Sequence, residues 1–272
     1  MSKFLVIVGL VVLAVGLRFS RSAVPRKLGA LVFLAACYVA FYFITDCWWC
    51  GIFGVLPWFF LPWIEILTRI KRMRLPMENR LRHRRVPDPE FFPNAAEAAI
   101  GMEEEGFEHA DDCGWEWSGM QQYFQIFWHP EERAEATICL CEQNDVAFAF
   151  ISVTSRDASG RIFRTTNFPF SPTLRCPPHM KWNHVPCERN AFHQILEDHR
   201  QFLTKMRLKT DDLRIPDPDE IEHEIEAEMK EQIQHNLEAG IIRPADDTHF
   251  EYSVRGFFFL WGQFVKDMVR LC

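Results

Sequence analysis

The chain has 272 residues, 48% of them apolar and 14% aromatic, which excludes disorder or low complexity as a description of the whole. Its net charge of −7 conceals a division: residues 1–87 carry 13 basic and 3 acidic side chains, whereas residues 88–272 carry 17 basic and 34 acidic ones. An acidic surface repels polyanions, so nucleic acid is not expected as a partner.

The basic part is also the most apolar. Residues 4–17 are an uncharged apolar run preceded only by Lys3 and followed by Arg18, Arg21, Arg26 and Lys27. No small-x-small cleavage site follows, so the run reads as a retained short span rather than a signal peptide. Between residues 28 and 64 the only charge is Asp46. Residues 28–44 and 51–67 therefore predict two helices of 17 residues each, close to the roughly 20 that cross a hydrocarbon core of about 30 Å. They form a hairpin, and residues 1–67 become a transmembrane anchor of about three helices. Trp48 and Trp49 fall at its turn, where amphipathic rings favour the interface, and Pro57 and Pro62 are expected to kink the last helix.

Residues 68–93 read as a basic juxtamembrane segment and linker. Arg69, Lys71, Arg72, Arg74, Arg80, Arg82, Arg84 and Arg85 directly follow the hairpin, which suits anionic lipid headgroups better than a nucleic-acid backbone. Basic flanks stay in the cytoplasm, so the rest of the chain is expected on the cytoplasmic face of an integral membrane protein, with Asp46 outside.

Residues 94–272 predict a cytoplasmic α+β domain. Asn94 and Glu97 have the spacing of a capping box, with Gly106 as the helix stop. Aromatic and β-branched residues at 122–128, 134–142, 146–155 and 161–166 predict a four-stranded antiparallel meander, with Ala136, Ile138 and Leu140 on one face and Thr137, Cys139 and Cys141 on the other. A proline-rich loop follows over residues 168–186. Phe192, Ile195, Leu196, His199, Phe202, Leu203 and Met206 then have the spacing of an amphipathic helix able to cover the sheet. Asp217, Pro218 and Glu220 signal the start of another helix, with Gly240 as its stop. Residues 252–272 form a C-terminal amphipathic helix that lies on the membrane or docks on the sheet.

Candidate chemistry is sparse. Cys47 and Cys50 form a Cys-x-x-Cys pair, a spacing that supports redox exchange in an oxidising compartment, but without the βαβ surroundings such enzymes need. Cys176, His179, His184 and Cys187 have a C-x2-H-x4-H-x2-C spacing of zinc-ligand types, although the central gap is tight and three prolines stiffen it. The bland reading, a rigid loop with no cofactor, is preferred to zinc. His199 on an apolar helix face reads as a satisfied core histidine. His223-Glu224 lacks the second ligand of a zinc-protease helix, since position 227 is Ala227. No glycine-rich phosphate loop or nucleophile elbow is present. The expectation is a membrane-anchored interaction or accessory module whose partners are the lipid bilayer and other membrane or cytoplasmic proteins. The alternative is a metal-dependent or thiol enzyme built on Cys176, His179, His184 and Cys187.

Overall fold

The computed structural model describes residues 2–19, 23–84, 92–117, 120–143, 146–186 and 191–271. Three helices open the chain: α1 (Ser2–Arg18), α2 (Ala23–Thr45) and α3 (Trp48–Thr68). Among the described residues two stretches are long and apolar enough to cross a membrane, Lys27–Thr45 and Trp48–Arg72. The 17 residues of α1 reach about 25 Å at 1.5 Å per residue, short of a core of about 30 Å. Small residues bring α2 and α3 together, since a Cβ at Gly51 would lie 2.6 Å from the Tyr38 ring. Lys3 pairs with Asp46 at 2.6 Å, so α1 begins beside the turn between α2 and α3.

Two sheets follow. In the smaller one β10 (His249–Tyr252) lies between β1 (Leu75–Pro76) and β9 (Ile242–Pro244). The larger has seven strands in chain order, β2 (Arg82–His83), β3 (Glu108–Trp117), β4 (Met120–His129), β5 (Ala134–Gln143), β6 (Val146–Arg156), β7 (Ile162–Thr166) and β8 (Met180–His184). All neighbours are antiparallel except β7 and β8, which are parallel. The sheet is thus larger than a four-stranded meander. The adjacent Asp111 and Asp112 are part of β3, where His83 and His109 lie 2.9 and 3.0 Å from the two carboxylates. The end of the proline-rich stretch forms β8. The expected linker supplies β1 and β2, while Val86 to Pro89 lie outside the described residues.

The pleat of β5 divides the domain into two layers. Ala136, Ile138 and Leu140 face α4 (Pro93–Glu104) and α5 (Phe192–Lys205), in a core with Met102, Phe127 and Ile195. Each large apolar side chain buried there contributes about 1.5–3 kcal/mol. Thr137, Cys139 and Cys141 point the other way, toward α6 (Ile221–Glu238). Two helix starts differ from expectation. Phe92, not Asn94, is the N-cap of α4, because Pro93 suits the first helical position and Phe92 is buried. The cap of α6 is Glu220; Asp217 instead accepts the Asp219 N–H at 3.1 Å in a turn ahead of the helix. Gly240, at φ +66°, ends α6 as expected, with the Ile241 N–H bonded to the Asn236 carbonyl at 3.0 Å.

The last helix, α7 (Val254–Leu271), neither lies free nor simply docks on the sheet. It packs along α3: the Trp261 indole N–H donates to the Phe59 carbonyl at 2.8 Å, and Phe258 meets Trp63 edge to face at 5.1 Å. Ile66, fully buried near the end of α3, shares a core with Phe250, Tyr252 and Leu260. The apolar helices and the α+β part are therefore in direct contact.

Candidate functional site

A cavity of about 970 Å³ lies between the larger sheet and the helices α3, α6 and α7. That is the upper end of the roughly 300–1,000 Å³ usual for small-molecule sites. Its sheet wall is the face carrying Thr137, Cys139 and Cys141, extended by Phe148, Phe150 and Met180. Ile225 and Met229 of α6 and Phe264 and Met268 of α7 add apolar surface, and Leu61 and Pro62 bring α3 into the lining. The loop after β7 contributes Phe168 and Phe170, so four phenylalanines cluster: Phe150 and Phe168 are 4.8 Å apart, and Phe148 and Phe170 6.0 Å apart at 82°. Asp267 of α7 holds this loop, accepting the Ser171 N–H at 2.9 Å and the Ser171 hydroxyl at 2.6 Å.

A buried ionic cluster forms the polar part of the wall. Arg156 pairs with Glu135 at 2.6 Å, with Glu224 at 3.2 Å and with Glu228, and Arg164 pairs with Glu228 at 2.6 Å. The Arg164 Nε–H also donates to Thr154 at 2.9 Å, and its guanidinium sits over the Trp182 ring at 5.6 Å. The two inner carboxylates differ in kind. Glu135 is wholly buried against one arginine, and desolvation raises its pKa. For Glu228 burial acts in the same direction, but Arg164 and Arg156 together outweigh it and lower its pKa. If the cluster takes up a proton, Glu135 is the residue that holds it. The indole N–H of Trp182 is buried with no acceptor among the described residues.

The cysteines facing the cavity are not poised for nucleophilic attack. Burial pushes the Cys141 thiol up to about 12 and raises Cys139 as well, so both are protonated near neutrality and act as soft apolar groups.

The residues singled out from the sequence are distributed differently. His179 and His184 flank and end β8, an extended strand that separates them by roughly 16 Å at 3.3 Å per residue. Two ligands so placed do not reach one ion at about 2.0 Å. His179 lies 3.4 Å from Glu231, and the His184 ring lies 5.6 Å from that of Trp182. Cys176 carries a thiol raised by burial, and Cys187 lies outside the described residues. Among the described residues no group of three or more His, Cys, Asp or Glu is arranged to hold a metal. Cys47 is the N-cap residue of α3 and Cys50 lies in its first turn, both as free thiols. Trp48 and Trp49 stack on each other at 4.0 Å and are about half exposed.

Of the basic segment, Arg69 pairs with Glu65 at 3.0 Å, Arg80 with Glu78 at 3.4 Å, Arg84 with Glu116 at 3.0 Å, and Arg74 with Glu251. Lys71, Arg72 and Arg82 are exposed, and Arg85 lies outside the described residues. His199 is buried between two hydroxyls, Ser155 at 3.1 Å and Thr165 at 3.0 Å. Sequence reasoning did not find the cavity or its ionic cluster. Arg164 and Glu228 are far apart in the chain, and no local pattern marks such a pair.

No known family model, curated protein or solved structure matches this chain.

Proposed function

We propose that the protein is a membrane-anchored module that binds the apolar chain of a membrane lipid. In this reading residues 1–67 form the anchor, with α1 as a third, shorter span beside the hairpin. The α+β part faces the cytoplasm, and the meander β4 to β7 is the central unit of its sheet. It acts as an accessory module for other proteins of that membrane rather than as an enzyme. The observation that carries the proposal is the cavity, whose lining combines aromatic strands with α3, one of the two helices apolar enough to cross a membrane. The raised Cys139 and Cys141 thiols weigh against thiol chemistry in the cavity. Positive-inside orientation is supported by the basic residues that flank the hairpin on one side only.

Photocrosslinking tests it. The full chain is reconstituted in vesicles whose lipids carry a diazirine on the acyl chain across all headgroup classes. Peptides from β5, β6 and β8 should be labelled along with the apolar helices. Cys141→Trp, which pushes an indole into the cavity from β5, should lower labelling of β5 and its neighbours severalfold and leave α2 and α3 unchanged. Labelling confined to α1, α2, α3 and α7 would contradict the proposal.

A further inference from the structure

The charges around the cavity say which lipids suit it. Five charged side chains line it among the described residues: Glu65, Glu135, Arg164, Glu228 and Asp267. Four are carboxylates and one is an arginine, so the charged lining is net negative. Glu65 pairs with Arg69 at 3.0 Å and Glu135 with Arg156 at 2.6 Å. Arg164 spends its Nη2 on Glu228 at 2.6 Å, its Nε on Thr154 at 2.9 Å and its face on Trp182. Asp267 accepts the hydrogen bonds of Ser171.

An anionic headgroup entering this site meets four carboxylates and one arginine that already has its partner. To bind it the wall would have to break the Arg164 to Glu228 pair and leave a buried carboxylate exposed to its like, which is costly in a low-dielectric site. A headgroup without negative charge meets no such repulsion, and the aromatic lining takes its chain.

Resting on the lipid-binding reading above, we infer that the cavity selects long-chain lipids whose headgroup carries no net negative charge, such as neutral acyl esters, and rejects anionic amphiphiles of the same chain length. The apolar lining accepts the chain, and the excess of carboxylates in the wall sets the selectivity.

The test compares two probes with the same diazirine-bearing chain, a monoacylglycerol and an alkyl phosphate, each in phosphatidylcholine vesicles holding the full chain. The ester should label β5, β6 and β8 at least tenfold more than the phosphate, with equal labelling of α2 and α3. Gln232→Lys then adds a positive charge to the lining, which Gln232 shares, one helical turn from Glu228, and should raise phosphate labelling of the strands severalfold. Equal labelling by both probes, or a preference for the phosphate, overturns the selectivity while leaving lipid binding in place. Unchanged phosphate labelling in Gln232→Lys, with a cooperative melt like that of the parent, also overturns it. Absence of strand labelling by either probe overturns the lipid-binding reading itself.

Discussion

His199 shows how a single side chain couples the domain to pH. It is fully enclosed, and burial, aided by the charge of Arg200, brings its pKa down to about 3. The native state therefore keeps the ring neutral, while the unfolded chain takes up a proton below about 6.5. Stability from this residue is complete above that value and is lost as pH falls toward 3. Between pH 8 and pH 5 the loss amounts to about 2 kcal/mol. Denaturation at the two pH values should show that loss in the parent protein and a markedly flatter dependence in His199→Gln; parallel curves would contradict the assignment. The placement of His199 on a buried helix face was legible in the spacing of α5, but its hydroxyl partners on β6 and β7 were not, because they come from strands 34 and 44 residues away. Glu228 is the opposite case. It adjoins the apolar stripe of α6 and looks like one more solvated acid in sequence, yet it bridges the buried Arg156 and the partly buried Arg164. Removing its charge in Glu228→Gln leaves those cations partly uncompensated, and should cost about 3 kcal/mol in chemical unfolding. A change below about 1 kcal/mol would place the cluster in solvent.

At the scale of elements, periodicity located what local chemistry can encode. The helix over Phe192–Lys205 and the strands β4 to β7 lie where the apolar pattern places them. The strands β3 and β8 were missed for separate reasons. Two adjacent aspartates and a glycine disguise β3, and β8 pairs in parallel with β7 across a long connection, a contact no short window contains. The same holds for α7, whose amphipathic face was evident but whose partner was not. Its Asp267 ties down the loop carrying Phe168 and Phe170 through three hydrogen bonds to Ser171. Asp267→Ala strands a buried N–H and hydroxyl, at about 1–3 kcal/mol. Amide exchange over residues 168–174 should then accelerate about tenfold or more, with β5 unaffected. Uniform acceleration across the sheet would mean that the aspartate stabilises the whole domain and not the loop.

For the whole molecule, the division of charge and apolar residues was legible at once, because membrane-compatible helices need long uncharged stretches and a composition count detects them. The cavity was invisible, since it exists only where the sheet, α6, α7 and the end of α3 converge. Its meaning depends on what fills it. Methionine methyl groups report on this directly: Met120, Met180 and Met229 line the cavity and belong to the sheet and α6 rather than to the apolar N-terminal helices. With the full chain carrying ¹³C-methyl methionine in deuterated detergent and protonated total lipid, the account predicts intermolecular NOEs from lipid chain methylenes to these three methyls. Lipid NOEs restricted to Met268 and to methionines outside the cavity would contradict it.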